Sequence, residues 1–454
     1  MITKYDLIVI GSGMGSGLVH EYKMAFPDKR VAIIDRRPFG GTCPQRGCNP
    51  KKVMFQRFRT LYLARRLEGS GLEGDVVLDW PSLVEEVKRF TAPVGDSMRK
   101  GFGDAGIDCY EGHAAFISSD QVRVDDTVLQ GDRIVIATGS RPRELGIPGS
   151  EHAIVSDDFF ELKMLPDEML FIGGGYISLE FAHMVALAGT KVTILQRGNA
   201  VLPMFDAEVT EKLCDTAKEH GIDIRFNQVV TEIVREHDGY TVRTKDDEVR
   251  TGLVFNGTGR VPDIDGLEID SAGVQVQYDK RGEPIGIPVD SKLRTNVGHI
   301  YAIGDVLTQS PKLTPVGTIE SSVVSHNLIH GDVKDIDYGV IPSIAFTEPE
   351  IASVGMKEQE LDDPSAYTII PKEGRSQPSF ADKSRNLDHA YKKFIVDKEG
   401  YLVGAHLVGY GIEDLINMYA VIIQNRIPVS TLWLAYAYPT ESYDHLRILS
   451  GGVR

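Results

Sequence analysis

Only four cysteines occur in 454 residues, too few for a framework of structural disulfides, so any disulfide here belongs to chemistry rather than to architecture. Basic residues are also short. The 49 Lys and Arg face 65 Asp and Glu, a formal charge of −16. Such a chain lacks the electrostatic footprint for nucleic acid or an anionic membrane surface, and neither is expected as a partner. No apolar run approaches the roughly 18 residues that a bilayer span needs. The opening MITKYDLIVIGSG enters an apolar strand at once, without a signal-peptide core or cleavage site, so a cytoplasmic location is expected. What is present is ordinary globular composition, 42% hydrophobic and 25% charged, in a length that suits roughly three domains.

The pattern along the chain repeats a unit. Tyr5–Ile10 is a short apolar strand that stops at Gly11-Ser12-Gly13-Met14-Gly15-Ser16, followed by helical periodicity and a second strand, Val31–Ile34, closed by Asp35. Strand, Gly-rich turn, helix, strand and acid make a dinucleotide-binding βαβ unit. Gly11 and Gly13 let the backbone approach a pyrophosphate, the small Ser16 permits helix–strand packing, and Asp35 can accept from a ribose. The unit returns as Met169–Ile172, then Gly173-Gly174-Gly175-Tyr176, a helix, and the strand Lys191–Leu195. From about Pro342 the texture changes to alternating strands and two helical stretches, a separate α+β domain. The expected class is α/β, with two Rossmann-like dinucleotide-binding domains and a C-terminal α+β dimerisation domain. The expected boundaries are 1–148 and 271–338 for the first nucleotide domain in two segments, 149–270 for the second, and 339–454 for the last.

Cys43 and Cys48 stand five positions apart across a turn containing Pro44 and Gly47. They can close a small disulfide loop. Pro50 suits the first turn of a helix, which puts Cys48 near a helix N-terminus, where Arg46, Lys51 and Lys52 add positive charge and a thiolate is stabilised. Two zinc ligands are the competing reading, but no second Cys or His pair lies nearby, and Cys109 and Cys214 stand alone. A redox-active dithiol is expected.

The run GGTCPQRGCNPKK at Gly40–Lys52 resembles the signature of the flavoprotein disulfide reductases, which include glutathione reductase, dihydrolipoyl dehydrogenase and mercuric reductase. EGHAAF at Glu111–Phe116, ATGSRP at Ala137–Pro142, GGGYISLE at Gly173–Glu180, GTGRVPD at Gly257–Asp263, AIGD at Ala302–Asp305 and FTEPEIASVG at Phe346–Gly355 follow in family order. The resemblance covers nearly the whole chain. It implies FAD on the first loop, held by Gly11, Gly13, Ser16, Asp35, Thr42, Ala114, Thr138, Gly139, Gly304 and Asp305. It implies NADPH or NADH on the second, held by Gly173, Gly175, Tyr176, Gln196, Arg197 and Gly259. Cys48 becomes the thiolate against the flavin and Cys43 the outer thiol that meets a disulfide-type substrate. Lys51 or Lys52 pairs with Glu180 beside the flavin, where reduced flavin gathers negative charge, and Tyr176 covers the flavin until nicotinamide displaces it. The same resemblance implies a homodimer whose active sites use both chains.

Two positions refine this expectation. NAD-preferring folds end the strand of the second unit in an acid that repels a 2′-phosphate; here the acid position holds Gln196, followed by Arg197, which favours NADPH. The second basic residue that glutathione reductases place six positions further falls on Pro203. Family members with thiol substrates also carry a C-terminal His-Pro-Thr-x-x-Glu, the acid–base of the outer Cys. Here Tyr438 stands at the His and Tyr443 at the Glu, with Glu441 and His445 as nearby substitutes that helical geometry turns elsewhere. An NAD(P)H-dependent disulfide oxidoreductase is the expected activity. The alternatives are a soft-metal reductase resembling mercuric reductase and a low-turnover redox subunit resembling dihydrolipoamide dehydrogenase.

Overall fold

The computed structural model describes residues 2–370, 380–387, 389–432 and 440–451. The chain forms two compact units. The first comprises Met1–Lys51, Glu85–Arg143 and Gly259–Tyr338; the second comprises Lys52–Val84, Glu144–Thr258 and Gly339–Arg454.

The first unit is built on a seven-stranded sheet. Its order runs Asp108–Glu111, Val31–Asp35, Ile2–Ile10, Thr127–Ile136, Gln121–Val124, Ala114–Phe116, with Ile300–Ala302 added in parallel to the end of Thr127–Ile136. The central strands are parallel and read as continuous apolar runs because both faces are covered. Leu7, Ile8, Val9, Ile33, Ile34, Ile134, Val135, Ile136 and Ile300 are all fully buried. The Leu18–Ala25 helix docks on the Thr314–His330 helix, where Leu18 N donates to Ser321 Oγ at 3.1 Å.

The second unit holds the other nucleotide-binding sheet, parallel and four-stranded, in the order Ile222–Arg225, Lys191–Leu195, Glu168–Ile172, Leu253–Asn256. An antiparallel meander, Val230–Glu236 to Glu248–Thr251, follows it in the chain. The same unit includes a five-stranded antiparallel sheet formed by Ser343–Ala345, Glu350–Gly355, Leu402–Gly409, Tyr391–Asp397 and Tyr367–Ile370, covered by the Ile412–Gln424 helix. Lys393 ties the two parts together. Its ammonium is sealed among Asp206, the N-cap of the Ala207–Glu219 helix, Glu208 and Glu358.

The chain returns to the first unit at Gly259, ahead of the expected 270/271 junction. Arg260–Pro262 pairs with Ser140–Pro142, and Leu267, Ile269, Ala272 and Val274 all join the first core. The cause is non-local pairing of two short polar strands, which carry no periodicity to read.

Candidate active site

In the first unit the carboxyl ends of the parallel strands converge, the usual place for a ligand in an open α/β sheet. Backbone bonds stitch them together: Gly11 N to Ile34 O at 2.8 Å, Ala137 N to Ile10 O at 2.7 Å and Ile303 N to Ile136 O at 3.0 Å. Gly11 has φ +109°, and a Cβ there would lie 2.2 Å from the Ala137 carbonyl oxygen. Only glycine allows these strand ends to close. Asp35 Oδ2 accepts from Ser12 N at 2.9 Å and from Ser12 Oγ, and Asp35 Oδ1 accepts from Arg37 N at 2.9 Å. Ser12 Oγ in turn accepts from Gly40 N at 2.9 Å, so one buried hydroxyl joins the strand-end acid to the segment leading into Thr42 and Cys43. Sequence reasoning passed over Ser12, because a Ser inside a Gly-rich turn reads as a spacer.

The other expected residues gather around this turn. Ser16 is buried and donates to Ser12 O at 3.3 Å. Gly112 N donates to Asp35 O at 2.9 Å, which brings the segment entering Ala114 to that acid. Asp305 accepts from Ser140 Oγ at 2.8 Å, and Arg260 holds Ser140 through Nε at 2.9 Å. Gly304 N donates to the buried Glu320, which also accepts from Tyr338 at 2.8 Å. Thr138 Oγ1 is buried without a hydrogen-bond partner among the described residues, beside Gly139 in its open turn. Two carboxylates at strand ends, glycine backbone between them and a waiting hydroxyl fit the ribose, pyrophosphate and ribityl groups of FAD.

The dithiol follows in the same unit. Thr42–Arg46 is a short helix carrying Cys43, and Cys48 opens the long helix Cys48–Arg66. Cys48 Sγ lies 3.5 Å from Thr314 Oγ1, and Thr314 opens the Thr314–His330 helix. Two helix N-termini therefore meet at the Cys48 sulfur, an electropositive setting that favours thiolate. The other cysteines sit in the opposite environment. Burial pushes the Cys109 thiol up, and it pushes Cys214 up to about 11. Lys51 is buried and Lys52 exposed.

In the second unit Gly173 has φ +98°, and a Cβ there would lie 2.7 Å from Gly257 O. The residue that closes on this loop is thus Gly257. Gly259 begins the return to the first unit, where its carbonyl accepts from Arg143 N. Gly175 caps the Tyr176–Leu187 helix, whose first residue is 47% exposed. Gln196 is occupied at both ends: Oε1 accepts from Gly174 N at 3.0 Å, and Nε2 donates to Ala200 O at 2.8 Å. It braces the loop and leaves the exposed Arg197 as the cation at this strand end. Glu180 is 3% exposed and accepts from Phe346 N at 2.9 Å, while Lys52 Nζ sits 5.1 Å over the Phe346 ring.

Tyr438 lies outside the described residues. Its neighbours in sequence do not replace a catalytic base. His445 is fully buried, with Nε2 3.2 Å from Glu441 Oε1 and Nδ1 2.9 Å from the Tyr419 hydroxyl. Burial lowers its pKa, and Lys392, 2.8 Å from Glu441, lowers it further. This pair belongs to the interior of the C-terminal domain.

Comparison with known proteins agrees with this geometry. Residues 5–320 match the family described as pyridine nucleotide-disulphide oxidoreductase, and residues 341–444 match the dimerisation domain of that family. The chain is 32% identical over 426 residues to a glutathione reductase of Burkholderia cepacia, covering 93% of each. It is 29% identical to a dihydrolipoyl dehydrogenase of Chlamydia pneumoniae, covering 97% of this chain and 95% of that one. Among solved structures it superposes on the Cu(II) complex of the HOCl-induced flavoprotein disulfide reductase RclA from Escherichia coli, with TM-score 0.85, 25% identity and 99% of each chain covered. Among the described residues no helix is long and apolar enough to cross a membrane. With two nucleotide loops, a dithiol at a helix start and both family domains in order, the chain belongs to the pyridine nucleotide-disulphide oxidoreductases, the FAD-dependent enzymes that pass electrons from NAD(P)H through flavin to a disulfide.

Proposed function

We propose that Cys43 and Cys48 are the redox-active pair, that NADPH is the preferred reductant, and that a small disulfide is the acceptor, in a cytoplasmic homodimer. The observation that carries this reading is Cys48 at the meeting of two helix starts, in the unit that holds the FAD cradle. Bound FAD supplies the hydride acceptor between nicotinamide and dithiol. The chain's own residues do the rest. Asp35, Ser12 and Asp305 orient the cofactor, the helix starts hold Cys48 as thiolate, and Cys43 attacks the substrate disulfide. Of the two lysines, the buried Lys51 suits the cationic role, and Glu180 the acidic one, that the family resemblance implies at the flavin.

A second reading is a soft-metal acceptor. Thiolates bind soft metal ions without needing a proton, and RclA, similar in fold, forms a Cu(II) complex. An anaerobic panel separates them. The purified protein should be yellow, and with NADPH it should reduce disulfides faster than quinone or Cu(II). Turnover with Cu(II) alone would defeat the disulfide reading.

The nucleotide preference has its own test. With the Gln196 side chain spent on the loop, Arg197 is the group left for a 2′-phosphate. Arg197→Glu exchanges attraction for repulsion. A charge-assisted contact is worth roughly 1.5–3 kcal/mol, so the NADPH-to-NADH ratio of kcat/KM should fall at least about tenfold. Equal kcat/KM for both nucleotides in the unaltered protein would refute the preference.

A further inference from the structure

Away from the cofactor loops, the second unit encloses polar groups that the reaction does not use. Glu348 is 2% exposed, and both its carboxyl oxygens lack a hydrogen-bond partner among the described residues. It faces Arg59, Glu350 and Glu413. Arg59 spends one amino group on Glu350 Oε1 at 3.0 Å and Glu413 Oε1 at 2.7 Å, so the guanidinium already serves two carboxyls. The second oxygens of those carboxyls, Glu350 Oε2 and Glu413 Oε2, are also buried without a hydrogen-bond partner among the described residues. One positive group faces three carboxyls, of which Glu348 and Glu350 are buried and Glu413 is partly exposed, and it cannot hold both buried carboxyls as anions.

His183 and its neighbour His220 supply no charge. His183 and His220 stand edge to face with ring centres 5.7 Å apart, and burial lowers them to about 3 and about 4. His389 is engaged by Glu219 at 2.7 Å. Three more buried polar atoms lack partners among the described residues: His183 Nε2, His220 Nδ1 and the Tyr410 hydroxyl. Orphaned buried polar atoms of this kind are the mark of internal water. A cavity of about 10 Å³ lies against Tyr62, Pro349, His389 and Tyr410, room for about one water molecule.

We infer that Glu348 is a neutral, proton-carrying acid whose ionisation loosens the grip of the Phe346–Glu348 segment on Glu180. The grip has two points on one helix. Phe346 N donates to Glu180, and Glu348 N donates to His183 Nδ1 at 3.4 Å, one turn further along. A charge forced onto Glu348 has no partner at hand and must draw in water or move, and either disturbs the adjacent amide bonds. Glu348 acts here through Glu180, as a positioning residue. This coupling rests on the proposed flavin-side role of Glu180; the proton site does not.

Burial raises the Glu348 carboxyl well above the ordinary range, and ionisation of the neighbouring Glu350 raises it further. For an acid raised in the fold, the stabilising contribution is full below the ordinary glutamate value. It is lost as pH climbs through the raised value, because the fold holds a proton that the unfolded chain releases.

Glu348→Gln keeps the shape and the neutrality, and Glu348→Leu repeats the test if the amide packs poorly. The infrared difference between the unaltered protein and either variant at neutral pH should show the carbonyl stretch of one protonated carboxyl. A second such band, from Glu350, should persist in the variants. Melting temperature should fall with rising pH less steeply in the variants. The visible flavin spectrum should change through the same pH range as the melting temperature in the unaltered protein and stay constant in Glu348→Gln. Absence of the carbonyl difference, or parallel melting curves, overturns the proton site. A carbonyl difference with a pH-independent flavin spectrum overturns the coupling to Glu180. A colourless protein defeats only the flavin reading, and the infrared and thermal measurements still decide Glu348.

Discussion

Replacing Cys43 by Ser should abolish disulfide turnover, by on the order of 10⁴-fold or more, the scale seen when an enzyme loses its nucleophile. The same variant should absorb at long wavelength without any reductant. With its partner gone, Cys48 has no disulfide to enter and stays a thiolate, at the sulfur position where the Cys48–Arg66 and Thr314–His330 helices both begin. A thiolate packed against oxidised flavin gives a charge-transfer band. In the unaltered protein the band should appear only after two-electron reduction by NADPH or dithionite. Cys48→Ser should lose both turnover and band. Cys109 and Cys214 serve as internal controls, since burial disfavours thiolate at both. If neither the unaltered protein nor Cys43→Ser shows the band, Cys48 is not the flavin-side sulfur.

The parts of this site that were legible in the sequence are those governed by local rules. A β-branched run that stops at glycines and resumes as a helix can hardly be anything but a strand, a turn and a helix, so both nucleotide loops were legible. Cys48 at a helix start followed from Pro50 two positions later. Long-range pairing was not legible. Arg260–Pro262 joins Ser140–Pro142 across more than a hundred residues, and this returns the chain to the first unit at Gly259. Charge in unexpected places was hidden as well. Lys392 and Lys393 are consecutive, so they point to opposite faces of one strand and would ordinarily read as a solvated pair. Yet both are buried, one against Asp382 and Glu441, the other against Asp206, Glu208 and Glu358. Glu348 and Glu350 flank a proline and read as an exposed turn. Their burial depends on Arg59, His183 and Glu413, from three distant helices. Sequence pattern records what one segment prefers, and these groups are placed by what surrounds them.

Substituting Tyr438 should separate the two halves of the reaction. Charging the flavin from NADPH needs no group from the C-terminal segment, whereas releasing a thiol product needs a proton for the departing sulfur. Position 438 is where relatives with thiol substrates carry their acid–base His. His445 is not its replacement, because it is buried, bonded to Tyr419 and Glu441, and disfavoured as a cation by that burial. If Tyr438 supplies the proton, Tyr438→Phe should slow disulfide turnover by about 10²–10⁴-fold, the usual contribution of a positioned acid or base. NADPH-to-flavin reduction and quinone reduction should hardly change. Tyr438→His should raise activity toward a glutathione- or lipoamide-type disulfide, although incompletely, since Tyr443 stands where relatives place the orienting Glu. Reduction of a soft metal ion should respond far less to Tyr438→Phe, because thiolates bind such an ion without a proton. If Tyr438 only packs against its surroundings, both substitutions lower stability and leave the ratio of disulfide to quinone rates constant. A constant ratio removes Tyr438 from the mechanism.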